Sequence, residues 1–168
     1  MEDKYYDALL HVKTGGGQKG FSSSIHYYRY EPTPYEGLNA LFKQYQLKET
    51  DRVVDFGSGK GRLLFYIHHF FKATVIGVEI DKSLYHEAME NRDRYVKRSN
   101  AREEEVEIHH CAAQDYEINS NDNRFYFLTL FQSRFLNIRF LIYFALTNRI
   151  TERWRLFYIM DRQITPIF

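Results

Sequence analysis

An open, mostly parallel α/β sheet with helices on both faces is the fold this sequence predicts. Two observations predict it. Short strands that are apolar throughout, such as Arg52–Phe56 "RVVDF" and 73–80 "ATVIGVEI", alternate with helical patterns between residues 50 and 112. Strands with no polar face have to be covered on both sides, which is the environment of a parallel sheet and its crossover helices. Right-handed crossovers then make the sheet Rossmann-like and doubly wound. The second observation is length: at 168 residues the chain suits one domain with a real core.

The elements follow in order. Residues 1–30 read as a loosely structured, flexible lead-in, because "KTGGGQKGFSSS" is rich in glycine and serine and has no hydrophobic period. In that stretch Lys19 precedes Gly20, whereas a phosphate-binding P-loop needs Gly-Lys followed by Ser or Thr. The P-loop reading is therefore excluded. A helix is predicted from "TPYEGLNALFKQYQL", with Thr33 as cap, Pro34 in the first turn and Glu36 completing a capping box. Leu38, Leu41, Phe42 and Tyr45 give it an apolar stripe. The strand "RVVDF", the buried helix "GRLLFYIHHFFK", the strand "ATVIGVEI", the polar helix "KSLYHEAMENRDRYVKRSN" and the strand "EEVEIHHCA" follow. After the turn cluster "NSNDN", "RFYFLTL" reads as a fourth strand. Phe131, Phe135, Ile138, Ile142 and Ala145 keep helical spacing, with Asn148 as a stop, and "WRLFYIM" reads as a fifth strand.

The chemistry centres on "VVDFGSGKGR", where Gly57, Gly59 and Gly61 occupy alternate positions directly after the first strand. In such sheets a ligand binds beyond the carboxyl ends of the strands. Glu79 closes the second strand 22 residues after Gly57, close to the ~20-residue offset of a carboxylate that accepts hydrogen bonds from ribose hydroxyls. Such a carboxylate would repel a 2′-phosphate. The dinucleotide fingerprint Gly-x-Gly-x-x-Gly would need glycine at position 62, where Arg62 stands.

The order actually present is Asp-x-Gly-x-Gly-x-Gly, carried by Asp55, Gly57, Gly59 and Gly61. It resembles motif I of the class I S-adenosylmethionine-dependent methyltransferases, whose acidic residue at the end of the second strand Glu79 matches. The resemblance covers roughly residues 25 to 127. It implies S-adenosylmethionine as cofactor, held at Asp55, Gly57, Ser58, Gly59, Glu79 and Ile80. It also implies adenine neighbours at Ala113 and Gln114, with Asp115 a further candidate, and contacts from Tyr30 and Thr33 in "YRYEPTPYEGL". This cofactor brings an ammonium, a carboxylate and a sulfonium, so its loop needs an acid as well as amides, and Asp55 supplies one.

Plainer readings stand beside these. The glycines can form a tight turn, Asp55 can cap a loop and Glu79 can be a solvated strand end. Gln114 and Asp115 divide about evenly between adenine contact and turn chemistry. Cys111 reads as a small buried strand residue. His68-His69 and His109-His110 are adjacent pairs that point apart, so no metal site is read. The alternative functions are an NAD-dependent oxidoreductase and a non-catalytic adenosine-ligand binding module.

Composition bounds the partners. Net charge is +1, which gives no general attraction to nucleic acid or an anionic membrane. The methyl acceptor is unknown, with a small molecule or protein favoured over nucleic acid. The single cysteine fits a reducing compartment. The polar N-terminus and the lack of any long apolar run make a cytoplasmic location, away from membranes, the expectation.

The last third is different. Residues 1–127 hold 17 Lys+Arg and 20 Asp+Glu; residues 128–168 hold 6 and 2, and all nine lysines and all nine glycines lie before 128. In relatives acting on planar nitrogen the fourth strand ends in a polar residue, a proline and an aromatic; "RFYFLTLFQSRF" has no such motif, so the catalytic residues are unknown. A choice among the degenerate codons for "LTLFQSRF" from Leu128 onward can, when shifted by one reading frame, spell Asn-Pro-Phe-Ser-Ile-Lys-Ile. The reading divides the chain into a lead-in (1–30), a cofactor-binding half (31–127) and an atypical segment (128–168) produced by a frameshift. That leaves the fold incomplete at its C-terminus and the chain inactive. A genuine divergent tail is the alternative.

Overall fold

The computed structural model describes residues 2–16, 30–133, 136–146, 156–160 and 163–167, with side chains up to residue 127. Its elements are α1 (Glu2–Leu9), α2 (Tyr35–Gln44), β1 (Arg52–Phe56), α3 (Arg62–Phe71), β2 (Thr74–Glu79), α4 (Lys82–Ser99), β3 (Val106–His110), β4 (Arg124–Ser133), β5 (Leu136–Leu146), β6 (Leu156–Met160) and β7 (Gln163–Ile167). One sheet has the order β3-β2-β1-β4-β5. β1 runs parallel to both β2 and β4, and β2 runs parallel to β3. The chain order therefore reverses at β1, and the crevice expected at such a switch point opens at its carboxyl end.

Strand side chains alternate between two faces. On one face Val53, Val75, Val106 and Tyr126 pack with Leu38, Leu41 and Phe42 of α2, Leu63 to Ile67 of α3 and Tyr95 of α4. Val54, Ile76, Val78 and Phe125 form a separate cluster on the other face, to which no helix residue contributes among the described residues. α4 starts at Asp81, whose carboxylate accepts from the amides of Ser83 and Leu84, each at 2.9 Å, satisfying two of the helix's unpaired donors. It ends at Asn100 in the left-handed conformation, a frequent C-terminal cap.

Four sequence expectations change. The stretch read as a loose lead-in opens with α1, and Leu10 and Val12 just after it are buried in the core; most of the glycine-serine stretch lies outside the described residues. α2 begins at Tyr35 with no side-chain cap bond. The Thr33 hydroxyl is instead 2.9 Å from the Tyr126 hydroxyl on β4, so the capping box does not form. The helix expected around Phe131 to Ala145 is replaced by β5, antiparallel to β4. "LNIRFLIYFAL" is apolar at both two-residue and helical spacing, so pairing with an adjacent strand decides its conformation. Asn148 lies outside the described residues. Finally, "WRLFYIM" contributes β6, which pairs with β7 in a separate two-stranded sheet.

Candidate functional site

The strand register sets the site. Asp55 pairs with Gly77 of β2 and with Tyr126 of β4, and Glu79 lies two residues beyond Gly77. Both carboxylates thus fall on the same sheet face, at the tips of neighbouring strands. The loop between β1 and α3 turns back on this edge: the amides of Gly57 and Ser58 donate to the Val78 carbonyl at 2.8 and 3.1 Å. Gly57, Gly59 and Gly61 all have positive φ, the region that disfavours a Cβ. Gly59 is required for space as well, because a Cβ there would lie 2.4 Å from the Tyr30 ring.

Glu79 is held by this loop. Its Oε2 accepts from the Gly59 amide and its Oε1 from the Asp81 amide, both at 2.7 Å. Burial pushes its carboxyl pKa upward, while these amides pull it down. The Ile80 amide also acts on the carboxylate, and of its roughly four acceptor positions the remainder is open to a ligand hydroxyl. Asp55 is 4% exposed, and among the described residues no donor reaches its carboxylate. Burial, then the charge of Glu79, raises its pKa to about 8. A buried acid without a donor is costly unless a cation or donor completes it.

The remaining predicted contacts divide. Ile80, 40% exposed just past β2, offers an apolar surface beside Glu79. The Ser58 hydroxyl turns inward against Gly77 and is buried without a partner, and its amide is taken by the Val78 carbonyl. Tyr30 lies against Gly59; its hydroxyl donates to the Thr14 carbonyl at 2.8 Å, and the Lys60 ammonium sits 5.0 Å from its ring centroid. Thr33 is buried and engaged with Tyr126. Ala113, Gln114 and Asp115 form a short 3-10 turn after β3, exposed to solvent.

Several participants gave no signal in the sequence. Arg62, 3% exposed, donates to the Thr14 hydroxyl (2.8 Å), the Thr33 carbonyl (3.2 Å) and Asp3 (3.2 Å), and its guanidinium lies 4.4 Å from the Tyr35 ring centroid. It ties the N-terminal segment to the glycine loop, a link no local pattern encodes. Beyond the ends of β2 and β3 the Tyr85 and His110 rings stack at 5.1 Å, and a His110 ring nitrogen lies 3.1 Å from the Ile80 carbonyl. On the opposite sheet face the Phe56 and Phe127 rings stack at 4.8 Å where β1 and β4 end. Two grooves of about 410 and 560 Å³ run along α4, and neither is lined by Asp55 or Glu79. Among the described residues no group of three metal-ligating side chains occurs, and no helix is long and apolar enough to cross a membrane.

Comparison with known proteins places these features. Residues 34–142 match the family described as a methyltransferase domain. No curated protein matches the chain. Among solved structures, it is similar to an RNA methyltransferase from Salinibacter ruber in complex with S-adenosyl-L-homocysteine, at 26% identity over 51% of this chain and 53% of that one, with a TM-score of 0.44. It is also similar to P. horikoshii TYW2 in complex with MeSAdo, at 17% identity over 76% and 61% of the two chains, TM-score 0.43. A third similarity is to the N-terminal domain of human METTL16 in complex with S-adenosylhomocysteine, at 13% identity over 64% and 40%, TM-score 0.39. The chain spans about half the length of the first of these. At these TM-scores the likenesses do not bear on what this chain does.

Proposed function

The chain belongs to the methyltransferase-domain family, and from that membership we propose that it binds S-adenosylmethionine at the tips of β1 and β2. The observation that carries the reading is the joint geometry of Gly59 and Glu79. The Gly59 and Asp81 amides fix the carboxylate, each at 2.7 Å, and the acceptor capacity left over would serve the ribose hydroxyls. Asp55 would receive the ammonium of the amino-acid end, the glycine loop under Tyr30 would hold that end, and Ile80 would offer an apolar surface to the adenine. The bound sulfonium supplies an activated methyl group. The chain's own task is to align that group and keep bulk water away from it.

Calorimetry with S-adenosylmethionine, S-adenosylhomocysteine and NAD tests the proposal. The two sulfur ligands bind and NAD does not, and Glu79→Ala weakens cofactor binding by about 1–3 kcal/mol through loss of charged hydrogen bonds. Unchanged affinity in that variant refutes the ribose assignment. NAD binding in place of the sulfur ligands favours the oxidoreductase reading.

The proposal extends to the rest of the chain. Residues from about 128 onward derive from a frameshift, so the chain keeps its cofactor half and lacks an acceptor half of the usual kind. It then acts as a weak or inactive methyltransferase in the cytoplasm. A methyl-release assay against small-molecule and protein acceptors separates a catalyst from a binder.

A further inference from the structure

Building on the cofactor site proposed above, we propose that ligand binding there is a proton exchange: the ligand's ammonium replaces a proton that Asp55 holds in the ligand-free protein. The geometry makes Asp55 an acid without a counter-charge. It is 4% exposed, and among the described residues it has no hydrogen-bond donor. The titratable groups facing it are Glu79 from β2, which is itself acidic, and Tyr126 from β4, whose hydroxyl contacts Thr33.

The two cations of the adjoining loop are engaged elsewhere. Lys60 pairs with Glu87 at 3.0 Å and reaches the Gly15 carbonyl at 3.4 Å. Arg62 donates through Nε to Thr14 and through Nη1 to Thr33 and Asp3, while its Nη2 is buried without a partner. Among the described residues the tips of β1 and β2 therefore hold two carboxyls and no cation, with His110 of β3 standing opposite Glu79. Burial next to Glu79 raises the Asp55 pKa to about 8, so at neutral pH the ligand-free acid is mostly protonated. On binding, the Asp55 O–H bond breaks, the proton passes to buffer, and an ammonium N–H donates to the carboxylate formed. The site gains one positive charge with the ligand and loses one as the proton.

The ligand's amine is that of a free amino acid and arrives as ammonium at pH 7, so the net change there is release of the Asp55 proton, approaching one per site. The release falls as pH rises through about 8, where the ligand-free acid ionises by itself.

The experiment is calorimetry of S-adenosylhomocysteine with the full chain, in phosphate and Tris at pH 7, 8 and 9. The buffer dependence of the binding enthalpy counts protons. Methylthioadenosine, which lacks the amino-acid end, serves as control and exchanges none. Asp55→Asn abolishes the release at pH 7. Binding of S-adenosylhomocysteine without release at pH 7, or equal release by Asp55→Asn, overturns the inference while leaving the cofactor assignment intact. Failure of both adenosine ligands to bind overturns the assignment and the inference together. A readout independent of ligand is the infrared carbonyl stretch of a protonated carboxylic acid at pH 7. It is expected in the wild type and lost in Asp55→Asn; its absence from the wild type overturns the inference.

Discussion

Gly59→Ala tests how tightly the N-terminal segment is seated on the glycine loop. Two costs can be separated. At φ +55° an alanine sits in the left-handed region, at about 1–2 kcal/mol relative to glycine. The new methyl would also lie 2.4 and 2.8 Å from two carbons of the Tyr30 ring, closer than any real contact. The ring must swing away, giving up its bond to the Thr14 carbonyl and its contact with Lys60, each worth roughly 0.5–1.5 kcal/mol. The expected total is about 2–5 kcal/mol. In a Tyr30→Ala background only the backbone term remains, so the same substitution costs about 1–2 kcal/mol. Urea denaturation of the four proteins yields the coupling directly. Costs that add within about 0.5 kcal/mol would show that Tyr30 does not lie on Gly59, and the seating described here would be wrong.

Asp55→Asn should change the pH dependence of stability in ligand-free protein. A carboxyl raised from 3.8 to about 8 in the folded state keeps a proton that the unfolded chain has lost, so stability falls as pH rises through that window. The loss is on the order of several kcal/mol by pH 8, and asparagine removes it. The variant's advantage in urea midpoint should therefore grow from pH 5 to pH 8; a constant difference refutes the raised pKa. The frameshift is checked by sequencing the gene and its flanks. An open continuation in the alternative frame, starting near the codon for Leu128, is the expected result, and its absence ends the idea.

The cofactor half was legible because its signals are local. The strands β1 to β3 and the helices α3 and α4 announce themselves by apolar runs and glycines; that Asp55 and Glu79 share one face follows from the register that sets Asp55 opposite Gly77. What failed was non-local. Thr33 satisfies every local rule for a cap, yet its hydroxyl meets Tyr126, 93 residues away. Ser58 sits between two of the loop's glycines, but the absence of a side chain at Gly77 leaves room for its hydroxyl to turn inward. Arg62 counted at first only as the residue that spoils a dinucleotide fingerprint; its partners Asp3 and Thr14 lie 59 and 48 residues away. The C-terminal helix was misjudged because its apolar residues fit both periods.

The position of the compositional break explains how a cofactor half could persist with a rewritten sequence after it. Tyr126, 2% exposed, joins β4 to the cluster shared with α2, α3 and α4. Phe125, 3% exposed, joins it to the cluster on the opposite face. Arg124 adds an ion pair with Asp51 at 3.1 Å, at the amino-terminal end of β1. These contributions from β4 all come before residue 128, and its pairing with β1 runs from Arg124 to Phe127. A change of reading frame at Leu128 would therefore spare the register that aligns β1 with its neighbours, and with it the placement of Asp55. It would alter the strand only beyond the stacked rings of Phe56 and Phe127, where an acceptor would have to approach the methyl group. Loss of acceptor chemistry without loss of the cofactor cradle is the physical consequence of a break at that point.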